Sequence, residues 1–161
     1  AKTLAAQTEL VRQLQARTVG RHYRALVQGE LSAGGTVDAP IGRHPTQRTR
    51  MAVVGNGRPA VTHYRVTARF PRATLVECRL ETGRTHQIRV HMAHIGHPLV
   101  GDPLYGARRC GDARLDGFPR QALHAFRLGL VHPRSGEAMR WEVPLAADFA
   151  ALLDELRGAP R

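Results

Sequence analysis

Residues 81–106 read ETGRTHQIRVHMAHIGHPLVGDPLYG, with four histidines and the arginines Arg84 and Arg89 in one short stretch. Thr82-Gly83 breaks the preceding pattern. Ile88, His91, Met92 and Ile95 then share one face at helical spacing, and Gly96 stands where a helix ends. The stretch is therefore expected to begin as a loop, become a helix and finish in the turn-rich HPLVGDPLYG. Upstream, Thr62 to Phe70 and Thr74 to Glu81 read as strands joined by a turn at Pro71-Arg72, the second alternating Val76, Cys78 and Leu80. Helix and strand signals thus meet at Thr82, which points to a fold in which both element types share one core.

Working outward, Tyr23, Ala25 and Val27 alternate with Arg24, Leu26 and Gln28 before Gly29, the period of a strand. Leu4, Leu10, Val11 and Leu14 lie on one face of an expected amphipathic helix over Thr3 to Arg17, with Thr3 as its N-cap. Residues 32–59 are rich in Gly, Pro, Thr and Arg and are read as short extended pieces around a basic loop, with His44, Arg48 and Arg50 facing solvent or ligand. Ala122 to His132 and Ala138 to Leu145 read as strands around a turn at 133–136. Phe149, Leu152, Leu153 and Leu156 mark a closing helix. Hairpin-spaced strands with segregated helices define an α+β domain over 1–161, a mixed, largely antiparallel sheet with flanking helices.

The 161 residues carry a formal net charge of +11, and with Lys2 the only lysine the basic side chains are 23 arginines. Such an excess points to a polyanionic partner, and the guanidinium fork suits phosphate and stacks on bases. No apolar run approaches the roughly 20 residues of a membrane span, and the first ten residues lack a signal pattern. The expected protein is soluble, cytoplasmic and monomeric. Cys78 and Cys110 read as ordinary reduced thiols.

His86, His91, His94 and His97 invite a metal reading, but no acidic residue lies between Glu81 and Asp102, and Gly96 ends the helix before His97. No metal site is expected. Gly83 ahead of a helix start suits an anion, without the spacing of a nucleotide-binding loop, so RNA phosphate is the better match. Arg84 and Arg89 flank that helix start. Asp102, in Gly-Asp-Pro, is read as a turn residue whose side chain bonds its own backbone.

The string at 80–106, preceded by RHYRALVQGEL at 21–31 and followed by RQALHAFRLGL at 120–130, resembles the RluA family of RNA pseudouridine synthases. Within it, GGTVDAPIGRHPTQRTRMAV at 34–53 and RPAVTHYRV at 58–66 look like the RluD type, which acts on large-subunit ribosomal RNA. The resemblance implies the pseudouridine synthase fold, conversion of uridine to pseudouridine with the base flipped from its stack, and no cofactor. It also implies site residues. Tyr23 would stack on the uracil and act in proton transfer, Arg89 would pair with the catalytic aspartate, and Leu123 would line the base pocket. Arg84, His86 and Gln87, with His44, Arg48 and Arg50, would contact RNA. The family's aspartate stands in an H-R-L-D motif, and none of Asp38, Asp102, Asp112, Asp116, Asp148 or Asp154 sits in that context. The resemblance therefore implies a C-terminal portion of a catalytic domain, inactive alone, with Arg89 left without its partner. The alternative is a non-catalytic RNA-binding module on the same fold.

Overall fold

In a computed structural model, which describes residues 1–106 and 109–158, a six-stranded sheet forms the frame. Its strands are β1 (Gly20–Gln28), β2 (Gly35–Asp38), β5 (Val61–Phe70), β6 (Ala73–Leu80), β7 (Leu123–Val131) and β8 (Ala138–Glu142), in the order β2-β5-β6-β1-β7-β8. Every pairing among the described residues is antiparallel. The remaining strands, β3 (Ile41–Arg43) and β4 (Met51–Val53), make a separate two-stranded ribbon around the basic loop. The α+β expectation holds, and the two strands read from the alternation at Tyr23 and at Val76 are direct neighbours, with Tyr23 opposite Cys78.

β1 lies inside the sheet and buries side chains on both faces. Leu26 points to a core with Phe70, Leu75, Leu115, Phe118 and the helix α4 (Ala147–Gly158), which contributes Phe149, Leu152, Leu153 and Leu156. Ala25 and Val27, one residue to either side, point to the opposite core with Val76, Cys78, Leu80 and Leu99, against Ile88 and Met92 of α2 (Gln87–His94). The period of two thus splits one strand between two helical layers. Each fully buried aliphatic side chain contributes about 1.5–3 kcal/mol. Burial also drives the Cys78 thiol up to about 12, which keeps it protonated and inert.

Two elements depart from expectation. The first helix, α1 (Leu4–Gln15), is capped by Thr3, which accepts from Ala6 N at 3.2 Å. Its apolar stripe, however, faces outward, with Leu4 78%, Val11 44% and Leu14 43% exposed. Its buried residue is Gln13, whose amide brackets the Val131 backbone, donating to the carbonyl at 2.8 Å and accepting from the N–H at 3.0 Å. A polar clamp, not the stripe, holds the helix to the sheet. The other departure is the single turn α3 (Ala113–Asp116), capped by Asp112 and too short for a periodic signal.

Between α2 and β7 the chain doubles back over the sheet end, where Val100 exchanges backbone bonds with Leu26 and Ala122. Gly101 makes this possible. Its φ is +70°, and a Cβ there would lie 2.1 Å from the Arg120 carbonyl oxygen. The turn returns Asp102 and Tyr105 to the start of α2.

Candidate active site

Tyr23, Arg89 and Leu123, spread over 100 positions of the sequence, line one cavity of about 320 Å³, together with Leu80, Arg84, His86, Gln87, Ile88 and Gln121. Alternation explains two of them. Tyr23 and Leu123 leave neighbouring strands on the α2 side of the sheet, with Leu123 opposite Ala25 and Tyr23 opposite Ala125. Arg89 comes from the first turn of α2, packed over that face. The cavity is thus a strand-built floor with a helix-start wall, apolar below and cationic above. Among the described residues its lining contains no carboxylate.

Arg89 is only 7% exposed, and it is paired. Its Nε and Nη2 donate to the two carboxylate oxygens of Asp102, each at 2.8 Å, the bidentate geometry that guanidinium and carboxylate share. Asp102 Oδ1 also accepts from the N–H groups of Leu104 at 2.9 Å and Tyr105 at 3.0 Å. The turn reading of Asp102 is therefore correct, and the expectation that Arg89 lacks a partner is overturned. The two stand thirteen positions apart, and the turn through Gly101 brings them together. Burial opposes ionisation of Asp102, but Arg89 and the two N–H donors outweigh it and hold the carboxyl below the usual range, while that hydrogen bond raises Arg89 in turn. The pair is a fixed clamp with both charges retained. Among the described residues Nη1 of Arg89 has no protein partner, so one edge remains for a second anion.

Gln87 and the histidines of this stretch divide by function. Gln87, 3% exposed, has its amide fully engaged: it donates to Val61 O and Thr62 Oγ1 and accepts from Thr82 Oγ1 and Arg84 N. It shapes the 82–86 loop from within. His91, fully buried, donates from Nε2 to Ala39 O, and its Nδ1 lies 2.9 Å from Thr62 Oγ1. Burial lowers its pKa and keeps it neutral. His97 Nδ1 lies 2.9 Å from the Gln28 carbonyl oxygen, a strand-end bond. His86 differs. It begins α2 in a left-handed conformation, φ 56°, with no side-chain cap, and its Nδ1 lies 2.9 Å from Tyr105 Oη.

Arg84 is half-buried, donates to Pro59 O, and borders two further basic clefts. One, about 480 Å³, is lined by Arg43, Met51, Arg58 and Arg84. The other has Arg17 and Arg21 beside Glu81. In the β3–β4 loop the expected contacts separate: Arg48 is exposed, Arg50 stands 5.6 Å over the Tyr105 ring, and His44 folds back on its own loop, accepting from Gln47 N at 3.1 Å. Sequence reading missed Asp102 as the Arg89 partner and missed Tyr105 altogether. The signal for Asp102 was ambiguous because an Asx turn and an ion pair use the same carboxylate.

A family model described as RNA pseudouridylate synthase matches residues 1–94. The chain is 60% identical to a ribosomal large subunit pseudouridine synthase D of Nitrosomonas europaea, covering 99% of this chain and 47% of that protein. It is 58% identical to the protein of the same name from Pseudomonas aeruginosa, covering 98% and 52%, and 54% identical to that of Escherichia coli strain K12, covering 98% and 51%. The chain thus spans about half the length of the curated relatives it matches. Among solved structures, human RNA pseudouridylate synthase domain containing 1 superposes with a TM-score of 0.74 at 29% identity, covering 99% of this chain and 74% of that one. Human RNA pseudouridylate synthase domain containing 4, at 24% identity and a TM-score of 0.77, covers 96% and 69% and shares the fold.

Proposed function

Because the chain belongs to the RNA pseudouridylate synthase family, we propose that it supplies the base-holding wall of a site that isomerises uridines of large-subunit ribosomal RNA. The observation that carries this reading is the convergence of Tyr23, Leu123 and Arg89 on one cavity. Its chemistry suits a flipped pyrimidine: an aromatic ring and aliphatic side chains for the base faces, and cations at the rim for phosphate. In the isomerisation the bond from C1′ to N1 breaks, C5 joins C1′, the proton on C5 leaves and N1 gains one. Tyr23 would hold the base flat and offer its hydroxyl for proton transfer at C5. Arg89, immobilised by Asp102, offers Nη1 to an anionic partner, the place of the family's aspartate.

Among the described residues the cavity lining holds no carboxylate, so the aspartate the reaction needs must come from outside these lining residues. The chain by itself is then an RNA binder without turnover. The test measures tritium release from RNA labelled at uracil C5. The protein carrying this chain in its complete catalytic domain releases label, its Tyr23→Phe and Arg89→Ala variants lose at least about a hundredfold in rate, and the chain alone releases none. Release by the chain alone would overturn the division of labour. Tight RNA binding without release by the complete protein would favour the non-catalytic RNA-binding module.

A further inference from the structure

The base-pocket reading above leaves Tyr105 unused, although four groups converge on it. Its Oη lies 2.9 Å from Met51 N, at the start of β4, and 2.9 Å from His86 Nδ1. Its ring has the Arg89 guanidinium 4.9 Å from its centroid and that of Arg50 at 5.6 Å, and it meets the His86 ring edge-on at 5.6 Å. Resting on that reading, we propose that Tyr105 is a positioning residue that sets His86 as a neutral hydrogen-bond donor to a carbonyl oxygen of the bound base.

Met51 N–H can only donate, so it uses an acceptor site on the Tyr105 oxygen and directs the phenolic proton elsewhere. That proton goes to His86 Nδ1, which must then be the unprotonated nitrogen. The imidazole proton is left on Nε2, which has no protein partner among the described residues, on a ring that lines the cavity. A neutral Nε2–H suits an exocyclic oxygen of uracil, since carbonyl oxygens accept and an amino group at that position would not. Burial, and then the nearby Arg89 charge, lower the His86 pKa and favour this neutral form. The left-handed backbone at His86 is strained in a residue with a Cβ. It is held by the Val90 N–H, which donates to His86 O at 2.9 Å, and by Tyr105. Because the same hydroxyl is anchored directly after the basic loop, displacement of β4 would disturb the donor.

Two measurements on the protein carrying this chain decide the matter. Nitrogen NMR of labelled histidine is expected to find His86 as the Nε2–H tautomer, and Tyr105→Phe, which keeps the ring, is expected to shift it to a mixture. In single-turnover assays Tyr105→Phe is expected to lower kcat about tenfold with KM for RNA nearly constant. His86→Ala should lose as much or more, and His86→Gln, which restores an N–H donor, should recover part of it. The proposal is overturned if His86 carries its proton on Nδ1, if Tyr105→Phe leaves the tautomer unchanged, or if the kinetic loss lies wholly in KM. Should the wild-type protein form no pseudouridine, the functional reading fails, and the NMR result still decides the placement of the proton.

Discussion

Arginine does opposite work in two regions of this molecule. At the start of α2, Arg89 is buried, gripped by both oxygens of Asp102, and stacked on Tyr105. In the β3–β4 loop, Arg48 is exposed and its guanidinium has no ion-pair partner among the described residues. The difference is one of pre-organisation. A locked guanidinium presents one edge in one direction, which suits a reacting group. A free one follows a flexible polyanion, which suits phosphate contacts. Sequence alone writes both with the same letter, and only burial and pairing tell them apart.

The sharpest way to break this contrast is to unlock Arg89. Asp102→Ala would strand a buried guanidinium and also remove the acceptor for two backbone N–H groups, with an expected loss of about 3–5 kcal/mol in urea unfolding. Asp102→Asn, which still accepts from those N–H groups, should lose less. An Asp102→Ala variant as stable as wild type would mean the pair is not the clamp described.

A smaller effect is expected two residues further along α2. His91→Leu leaves Thr62 Oγ1 and the Ala39 carbonyl without their ring partner and should cost about 1–3 kcal/mol by the same measurement. His91 is held neutral, its folded pKa lying below the ordinary 6.5. As pH falls through 6.5 the unfolded chain takes up the proton first, so stability should decline below that value, with the lost share fully gone below the folded pKa. His86 adds to this slope in the same direction. In His91→Leu the decline should be shallower, and an unchanged slope would assign it to other groups. The least structural effect belongs to the exposed loop. Arg48→Ala should move stability by no more than about 0.5 kcal/mol. It should weaken RNA binding across sequences and reduce the salt dependence by about one unit of slope.

Much of the fold was legible because it rests on short-range periodicity. The alternation from Tyr23 to Gln28 marked a strand, which the fold then buries on both faces, and Ile88, His91, Met92 and Ile95 with Gly96 marked α2 within a residue or two. The same periodicity misled at α1, where Leu4, Val11 and Leu14 form a stripe that the described residues leave uncovered. A stripe says which face is apolar, not what covers it. At the site, Tyr23, Arg89 and Leu123 were named from motif resemblance, and the fold brings them into one cavity. Spacing set His86 ahead of the helix and His91 on its apolar face, but did not say what either would bond. One meets the cavity and the other lies under β5, bonded to Thr62.

By itself, then, the sequence determined the element types, the family motif and the basic character, because each is carried by neighbouring residues or by composition. The tertiary structure decided which aspartate holds Arg89, which histidine faces the cavity, and that Tyr105 ties both to the basic loop. Those contacts span 13, 19 and 54 positions and exist only because Gly101 turns the chain back over the sheet end. A long-range polar contact has no period, so no local pattern announces it.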